Sequence, residues 1–161
     1  MPAVSVTVLT AYSAYLTLLH AFVASAQSGD DFNWTELTTS GVSPEGRASH
    51  TMVALSDSAT FVFGGYGEES LGDSWHLTAS GHEATWTQLT ASDDAPAARF
   101  FSCHGCPSDS EVLLFGGTDS SGDDALNDTW QATVSGGTVA WTQLATSGDA
   151  PGARYRHTMV V

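Results

Sequence analysis

A short pattern occurs three times in this chain at fixed internal spacing, and it limits the possible folds more than any other feature. Trp34-Thr35-Glu36-Leu37, Trp86-Thr87-Gln88-Leu89 and Trp141-Thr142-Gln143-Leu144 superpose. Ten positions after each Trp stands a proline (Pro44, Pro96, Pro151), and thirteen positions after it an arginine (Arg47, Arg99, Arg154). The register persists between copies. Arg47 to Gly64 and Arg99 to Gly116 both span 17 positions, and each glycine opens a pair that closes an apolar run: Phe61-Val62-Phe63-Gly64-Gly65 and Leu113-Leu114-Phe115-Gly116-Gly117. Leu-x-Asp-x-Trp follows twice, as Leu71, Asp73, Trp75 and Leu126, Asp128, Trp130, each second Trp lying 11 positions before the next copy. Only the stretch from the glycine pair to that Trp changes, from 10 positions (65 to 75) to 13 (117 to 130). One variable spacing among rigid ones marks a surface loop.

The period is 52 and then 55 residues. Each period holds four short β-rich runs, in the first copy His50 to Leu55, Thr60 to Gly64, Ser74 to Thr78 and Thr85 to Leu89. Turn signals such as Ser56-Asp57-Ser58 and Ser80-Gly81-His82 separate them. Four strands per repeat of about 50 residues make one propeller blade. R-x-x-H, an apolar strand, V-F-G-G, L-x-D-x-W, W-x-x-L and P together resemble the kelch motif, from Trp34 to the end of the chain. The resemblance implies an all-β fold: a β-propeller fragment with two full four-stranded kelch blades and terminal part-blades. Repeat 1 spans about 47–89 and repeat 2 about 99–144, and a third begins at 154. Trp34–Leu37 is expected as an orphan fourth strand and His157–Val161 as a lone first strand, both poorly paired.

Structural roles account for most repeat positions. Gly64, Gly65, Gly116 and Gly117 are expected to allow positive φ and close approach of the neighbouring blade. Trp75, Trp86, Trp130 and Trp141 are expected to fill the wedge between sheets, Trp75 or Trp86 meeting Phe115 or Leu114 of the next blade. Asp73 and Asp128 precede a Trp strand, where a short carboxylate can cap backbone N–H groups in a turn. In kelch propellers the position of Arg47, Arg99 and Arg154 lies near the rim of the central channel, so the resemblance implies a binding ring of guanidiniums that receives a partner's carboxylate. With so many acids in the chain, the favoured reading is that each arginine instead pairs with an aspartate or a backbone carbonyl of its own protein.

Charge narrows the partners. Eighteen acidic residues face four basic ones, all arginine, for a formal net charge of −14. Such a surface repels phosphate backbones, so nucleic acid and anionic membrane surfaces are disfavoured and cations and basic proteins favoured, with membrane a partner only if the N-terminal segment is an uncleaved anchor; the resemblance implies a protein or carbohydrate partner. Residues 1–26 read as a signal peptide or N-terminal anchor, because Val4 to Val23 is mostly apolar or small and Ala24-Ser25-Ala26 offers cleavage before Gln27. The remainder, 27–161, is the partial propeller. Secretion or N-terminal anchoring would make Asn127 and Asn33 glycosylation candidates. Cys103-His104-Gly105-Cys106 lacks the second ligand pair of a closed zinc site and is read as a strand carrying two small buried thiols, with a disulfide as the other option. Asp119, Asp123, Asp124 and Asp128 match no EF-hand spacing and read as solvated loop acids.

Three functions fit: a kelch-type binding module using propeller loops, an enzyme similar to galactose oxidase, and an extracellular structural repeat protein. For the enzyme, the available groups would be Tyr66, Tyr155, His50, His104 and His157, but no spacing matches a copper or cysteine-tyrosine motif. The sequence assigns no catalytic residue, metal or cofactor, and the binding module is favoured because only the variable loops lack a structural role.

Overall fold

The computed structural model describes the backbone of residues 21–26 and 32–34 and the whole of residues 35–92, 94–119 and 124–160. Ten strands form and, among the described residues, no helix: β1 (Ala21–Ala26), β2 (Phe32–Ser40), β3 (Thr51–Ser56), β4 (Ala59–Tyr66), β5 (Ser70–Ser80), β6 (Glu83–Ala91), β7 (Cys103–Ser108), β8 (Glu111–Phe115), β9 (Thr129–Ser135) and β10 (Thr138–Leu144). Strands β3 to β6 make one antiparallel meander and β7 to β10 a second. These are the two blades of a propeller fragment. Their outer strands touch in parallel at a corner, Thr138 and Val139 of β10 beside Thr90 and Ala91 of β6. Thr38 to Ser40 of β2 repeat that contact on Glu83 to Thr85.

The alternation of side chains along a strand explains how the blades stack. In β6 Trp86 and Leu89 are three positions apart, so they point to opposite faces. Trp86 joins Val62, Trp75, Leu77, Ala84 and Leu37 of β2 in one buried cluster on the face toward the preceding element. Leu89 joins Phe61 and Phe63 on the other face, where Val112, Leu114, Ala132, Val139 and Trp141 of the second blade cover it. The Trp141 ring lies 5.0 Å from Phe63 and 6.1 Å from Phe61. The second blade therefore sets its Trp face on the Phe face of the first, while the Trp face of the first packs on Leu37. Truncating an aromatic buried this completely costs roughly 3–5 kcal/mol.

Four expectations change. Trp75 and Trp86 are buried but do not meet Phe115 or Leu114; they face back onto Leu37, and the inter-blade contact is made by Trp141 reaching back to Phe61 and Phe63. Residues 157–160 form no strand. Val161 and residues 1–20 lie outside the described residues, and so does most of the expected signal segment. Its last six residues form the strand β1, antiparallel to β2 from Ala21 opposite Leu37 to Ala26 opposite Phe32, so Trp34–Leu37 is paired along its length and is not the poorly paired orphan strand expected. Cys103 and Cys106 are free and half-buried rather than buried, because the register of β7 on β8 shifts between Gly105 and Ser108 and turns the end of the strand outward. Burial raises both thiol pKa values, which keeps them poor nucleophiles at neutral pH.

Candidate functional site: the rim of the inner strands

Two kinds of connection share one edge of the fragment, the loops from β4 to β5 and from β8 to β9, and the segments that enter the first strand of each blade. Arg47 and Arg99 anchor those segments from inside. Arg47 Nη1 donates to Asp73 Oδ1 at 2.5 Å and Nη2 to Oδ2 at 2.8 Å; Arg99 repeats this on Asp128 at 2.6 and 2.8 Å. Each Nη1 also donates to a glycine carbonyl, Gly64 or Gly116, at 3.1 Å, and each Nε to the carbonyl two residues back, Glu45 or Ala97. The second oxygen of each carboxylate accepts the indole N–H two residues on, from Trp75 at 2.5 Å and Trp130 at 2.7 Å. Partial burial pushes Asp73 and Asp128 up, but the guanidinium and the indole outweigh it and hold both carboxyls below their usual range. These aspartates therefore tie side chains together, where the sequence suggested a backbone cap.

Arg47 and Arg99 are only 1% and 2% exposed in their side chains, so they present no guanidinium to a partner. Arg154 is exposed, donates from Nε to the Gly152 carbonyl and, among the described residues, makes no ion pair. The glycine pairs explain how the blades approach. A Cβ on Gly116, at φ 62°, would lie 2.6 Å from the Arg154 carbonyl oxygen, and one on Gly64 would collide with the carbonyl of Arg99. Gly65 and Gly117 donate backbone N–H groups to those same carbonyls at 2.9 and 3.0 Å.

Two residues beyond each arginine lies a position that sequence reasoning did not single out. Ser49, Phe101 and Arg156 have φ of 56°, 54° and 57°, the only non-glycine residues with positive φ among those described. Each such residue costs about 1–2 kcal/mol in an L-amino acid. The surrounding backbone enforces it: Phe101 N–H donates to the Ser49 carbonyl at 2.9 Å and Arg156 N–H to the Phe101 carbonyl at 3.0 Å, linking one blade to the next. Backbone strain held at one repeat position is a marker of a functional surface. Side-chain type varies there while the backbone does not, and no residue-type motif could have revealed it.

Phe101 and Arg156, with their neighbours, form a strip of contacting rings that is partly exposed. Tyr66 meets Phe100 edge-on at 5.4 Å, Phe100 meets Phe101 at 5.2 Å, and Phe101 stacks on Tyr155 at 6.2 Å. The Arg156 guanidinium carbon lies 4.3 Å over the Phe101 ring. Tyr66 is 44% and Tyr155 40% exposed, unusual for large aromatics. Tyr66 is fixed by paired backbone hydrogen bonds with Ala48, both 2.8 Å. Carboxylates flank this end of the strip. Glu68 and Glu69 follow in the β4–β5 turn and Glu45 lies across Gly67, all three exposed.

The remaining sites disperse. His104 is buried against Phe61 and Phe63, away from the exposed Tyr66 and Tyr155, and no three His, Cys, Asp or Glu side chains converge as a metal site among the described residues. Asp128 is committed to Arg99 and Trp130, Asp124 is exposed, and Asp123 lies outside the described residues. Asn127 is exposed in its loop; Asn33 falls in β2, and its side chain lies outside the described residues. An open cavity of about 420 Å³ is lined by Asp94, Trp130, Trp141, Thr142 and Gln143.

The sequence has relatives. Residues 16–161 match the family model of the KLHDC2/KLHL20/DRC7 Kelch-repeats domain. An Adagio-like protein 3 of Oryza sativa subsp. japonica is 31% identical over 141 residues, covering 87% of this chain and 22% of that protein. A Kelch domain-containing protein 2 of Bos taurus is 31% identical over 107 residues, 53% of this chain and 26% of its own length. The chain thus spans about a quarter of the length of these relatives.

Proposed function

Since the chain belongs to the kelch-repeat family, we propose that it is a protein-interaction module whose contact surface is the aromatic strip from Tyr66 through Phe100 and Phe101 to Tyr155 and Arg156. The carrying observation is that the strained positions Phe101 and Arg156 carry their strip side chains on a backbone locked by inter-blade hydrogen bonds, the first to the carbonyl of the equally strained Ser49. Aromatic and arginine side chains on a rigid support are the usual anchors of a protein interface. Rigidity lowers the ordering cost of binding.

Site-specific photo-cross-linking tests the proposal. A benzophenone side chain placed at Tyr66 or Tyr155 is expected to capture partner protein from an extract of the source, while one at Ser58 or Gly136, in turns at the opposite edge of the blades, captures none. Equal capture from both edges would refute the assignment.

A second reading concerns carbohydrate, and rests on the cavity where half-buried Trp130 stands beside Asp94 and Gln143. An indole face with a carboxylate and an amide is the chemistry of a neutral sugar subsite. Tryptophan fluorescence titrated with simple hexoses would respond if this holds, and an unchanged spectrum at saturating sugar would reject it. Export is also part of the proposal, with a glycan on the exposed Asn127. Expression in a secretory host should give a mass shift that Asn127→Gln abolishes; secretion without the shift would reject the glycan, and retention in the cytosol would reject export.

A further inference from the structure

The strip is polarised, and its polarity bears on what docks there. One end carries the two exposed arginines that flank Tyr155, Arg154 and Arg156, the second seated over Phe101. At the other, exposed Tyr66 is followed by the exposed carboxylates Glu68 and Glu69 and pairs with the segment that carries exposed Glu45, while the guanidinium at that end, Arg47, is buried against Asp73. The grouping follows from the fold. Gly67 N–H donates to the Glu69 carbonyl at 2.9 Å and closes the β4–β5 turn that carries Glu68. The same glycine packs so closely on the preceding segment that a Cβ there would lie 3.4 Å from the Gly46 carbonyl and 3.5 Å from a Glu45 carboxylate oxygen. Ala48, on that segment, pairs with Tyr66 itself.

We infer that the Tyr66 end of the strip receives a Lys or Arg side chain, and hence that the docked partner presents a basic segment. This rests on the interface reading above and adds to it the chemistry of the partner. An exposed aromatic face attracts a cation through its quadrupole, and neighbouring carboxylates supply the ion pair. The rest of the molecule reinforces the choice. Of the four arginines Arg47 and Arg99 are buried against their own aspartates, so the net charge of −14 is expressed at the surface with little to oppose it. Such a field steers basic partners in and holds acidic ones off. The apolar remainder of the segment lies along Phe100 and Phe101.

Because any acidic protein attracts a basic peptide weakly, the test compares equal charge changes at two edges. The probe is a fluorescent Ser/Gly peptide carrying several arginines and one leucine, with a counterpart in which glutamate replaces arginine. Binding is measured by anisotropy. The arginine peptide is expected to bind more tightly than the glutamate peptide. Glu45→Gln, Glu68→Gln and Glu69→Gln combined should weaken it about tenfold, the size of one desolvated cation–π and ion-pair contact. Asp57→Asn, Glu83→Gln and Asp109→Asn combined neutralise three exposed carboxylates on the opposite edge and should leave the affinity within about twofold, since screening is strong beyond about 8 Å. Tyr66→Ser should weaken the arginine peptide as well. Equal losses from the two triple variants, or tighter binding of the glutamate peptide, would overturn the inference. Cross-linking at Tyr155 with no preference between the peptides would sink the basic partner alone and leave the interface standing. Absence of edge-selective cross-linking would remove the interface itself.

Discussion

The guanidinium of Arg99 is enclosed by Asp128, the Gly116 carbonyl and the Ala97 carbonyl, so its partner cannot be removed without leaving a charge in a place water does not reach. Asp128→Ala is therefore expected to cost roughly 3–5 kcal/mol in chemical denaturation, whereas Arg99→Met with Asp128→Leu, which removes both charges, should cost much less. Additive losses in that cycle would show that the pair is not coupled. His104 gives a second prediction at this scale. Both ring nitrogens are buried without a hydrogen-bond partner between Phe61 and Phe63. Burial, helped by the charge of Arg99, holds its pKa down from 6.5 to about 3. The depressed folded value fixes the sign: below pH 6.5 the unfolded chain takes up a proton that the folded chain refuses, so stability falls with acid by about 1.4 kcal/mol per pH unit until the folded pKa is reached. At pH 5 the loss is about 2 kcal/mol. Urea denaturation of the wild type and of His104→Phe at pH 7 and pH 5 checks it, because the variant should lose less on acidification. The carboxyls of Asp73 and Asp128 act in a separate window, below 3.8. A wild type and variant with the same pH dependence would show that His104 is not the group responsible.

At the scale of elements, much of the blade was legible because its signals are local. W-x-x-L places Trp and Leu on opposite faces of one strand, the apolar triplets mark strands buried on both faces, and the glycine pairs mark close approach. The direction of stacking was not legible. Alternation says that Trp86 and Leu89 diverge, but not which of them faces the following blade. The strip was hidden for a different reason: positive φ at Ser49, Phe101 and Arg156 is imposed by carbonyls and N–H groups of the neighbouring blade, and none of these residues has an intrinsic preference for it. The glycines allow the inter-blade contact to be isolated. Gly116→Ala must both adopt φ 62° and displace the Arg154 carbonyl, whereas Gly136→Ala adopts φ 54° with nothing within 4 Å of its new Cβ. The left-handed strain of about 1–2 kcal/mol is common to the two. Gly116→Ala should accordingly lower the denaturation midpoint distinctly more than Gly136→Ala, and matching midpoints would mean that the approach of the two segments is not tight.

On the scale of the whole molecule, the stacking rule says which surfaces lack a partner. The Phe face of the first blade is covered by the Trp face of the second, and the Trp face of the first by Leu37. The Phe face of the second blade carries Leu113, Phe115 and Leu144, the positions of Phe61, Phe63 and Leu89. There Leu113 and Leu144 are half-exposed, and Phe115 is met by the His157 ring, edge-on at 5.4 Å. Propellers close with 4 to 8 blades, and repeat arrays draw their stability from the interfaces between neighbours. Residues 27–161 expressed alone are therefore expected to associate through this face, giving species larger than a monomer that grow with concentration in sedimentation velocity. Mutual repulsion from the net charge of −14 opposes this, so added salt should promote it by screening. Leu113→Glu with Leu144→Glu adds charge where an apolar surface would otherwise pair, and is expected to shift the population toward monomer. Should the unmodified chain sediment as a monomer at every concentration and unfold in one cooperative thermal transition, two blades would suffice as a folding unit and the exposed face would need no partner.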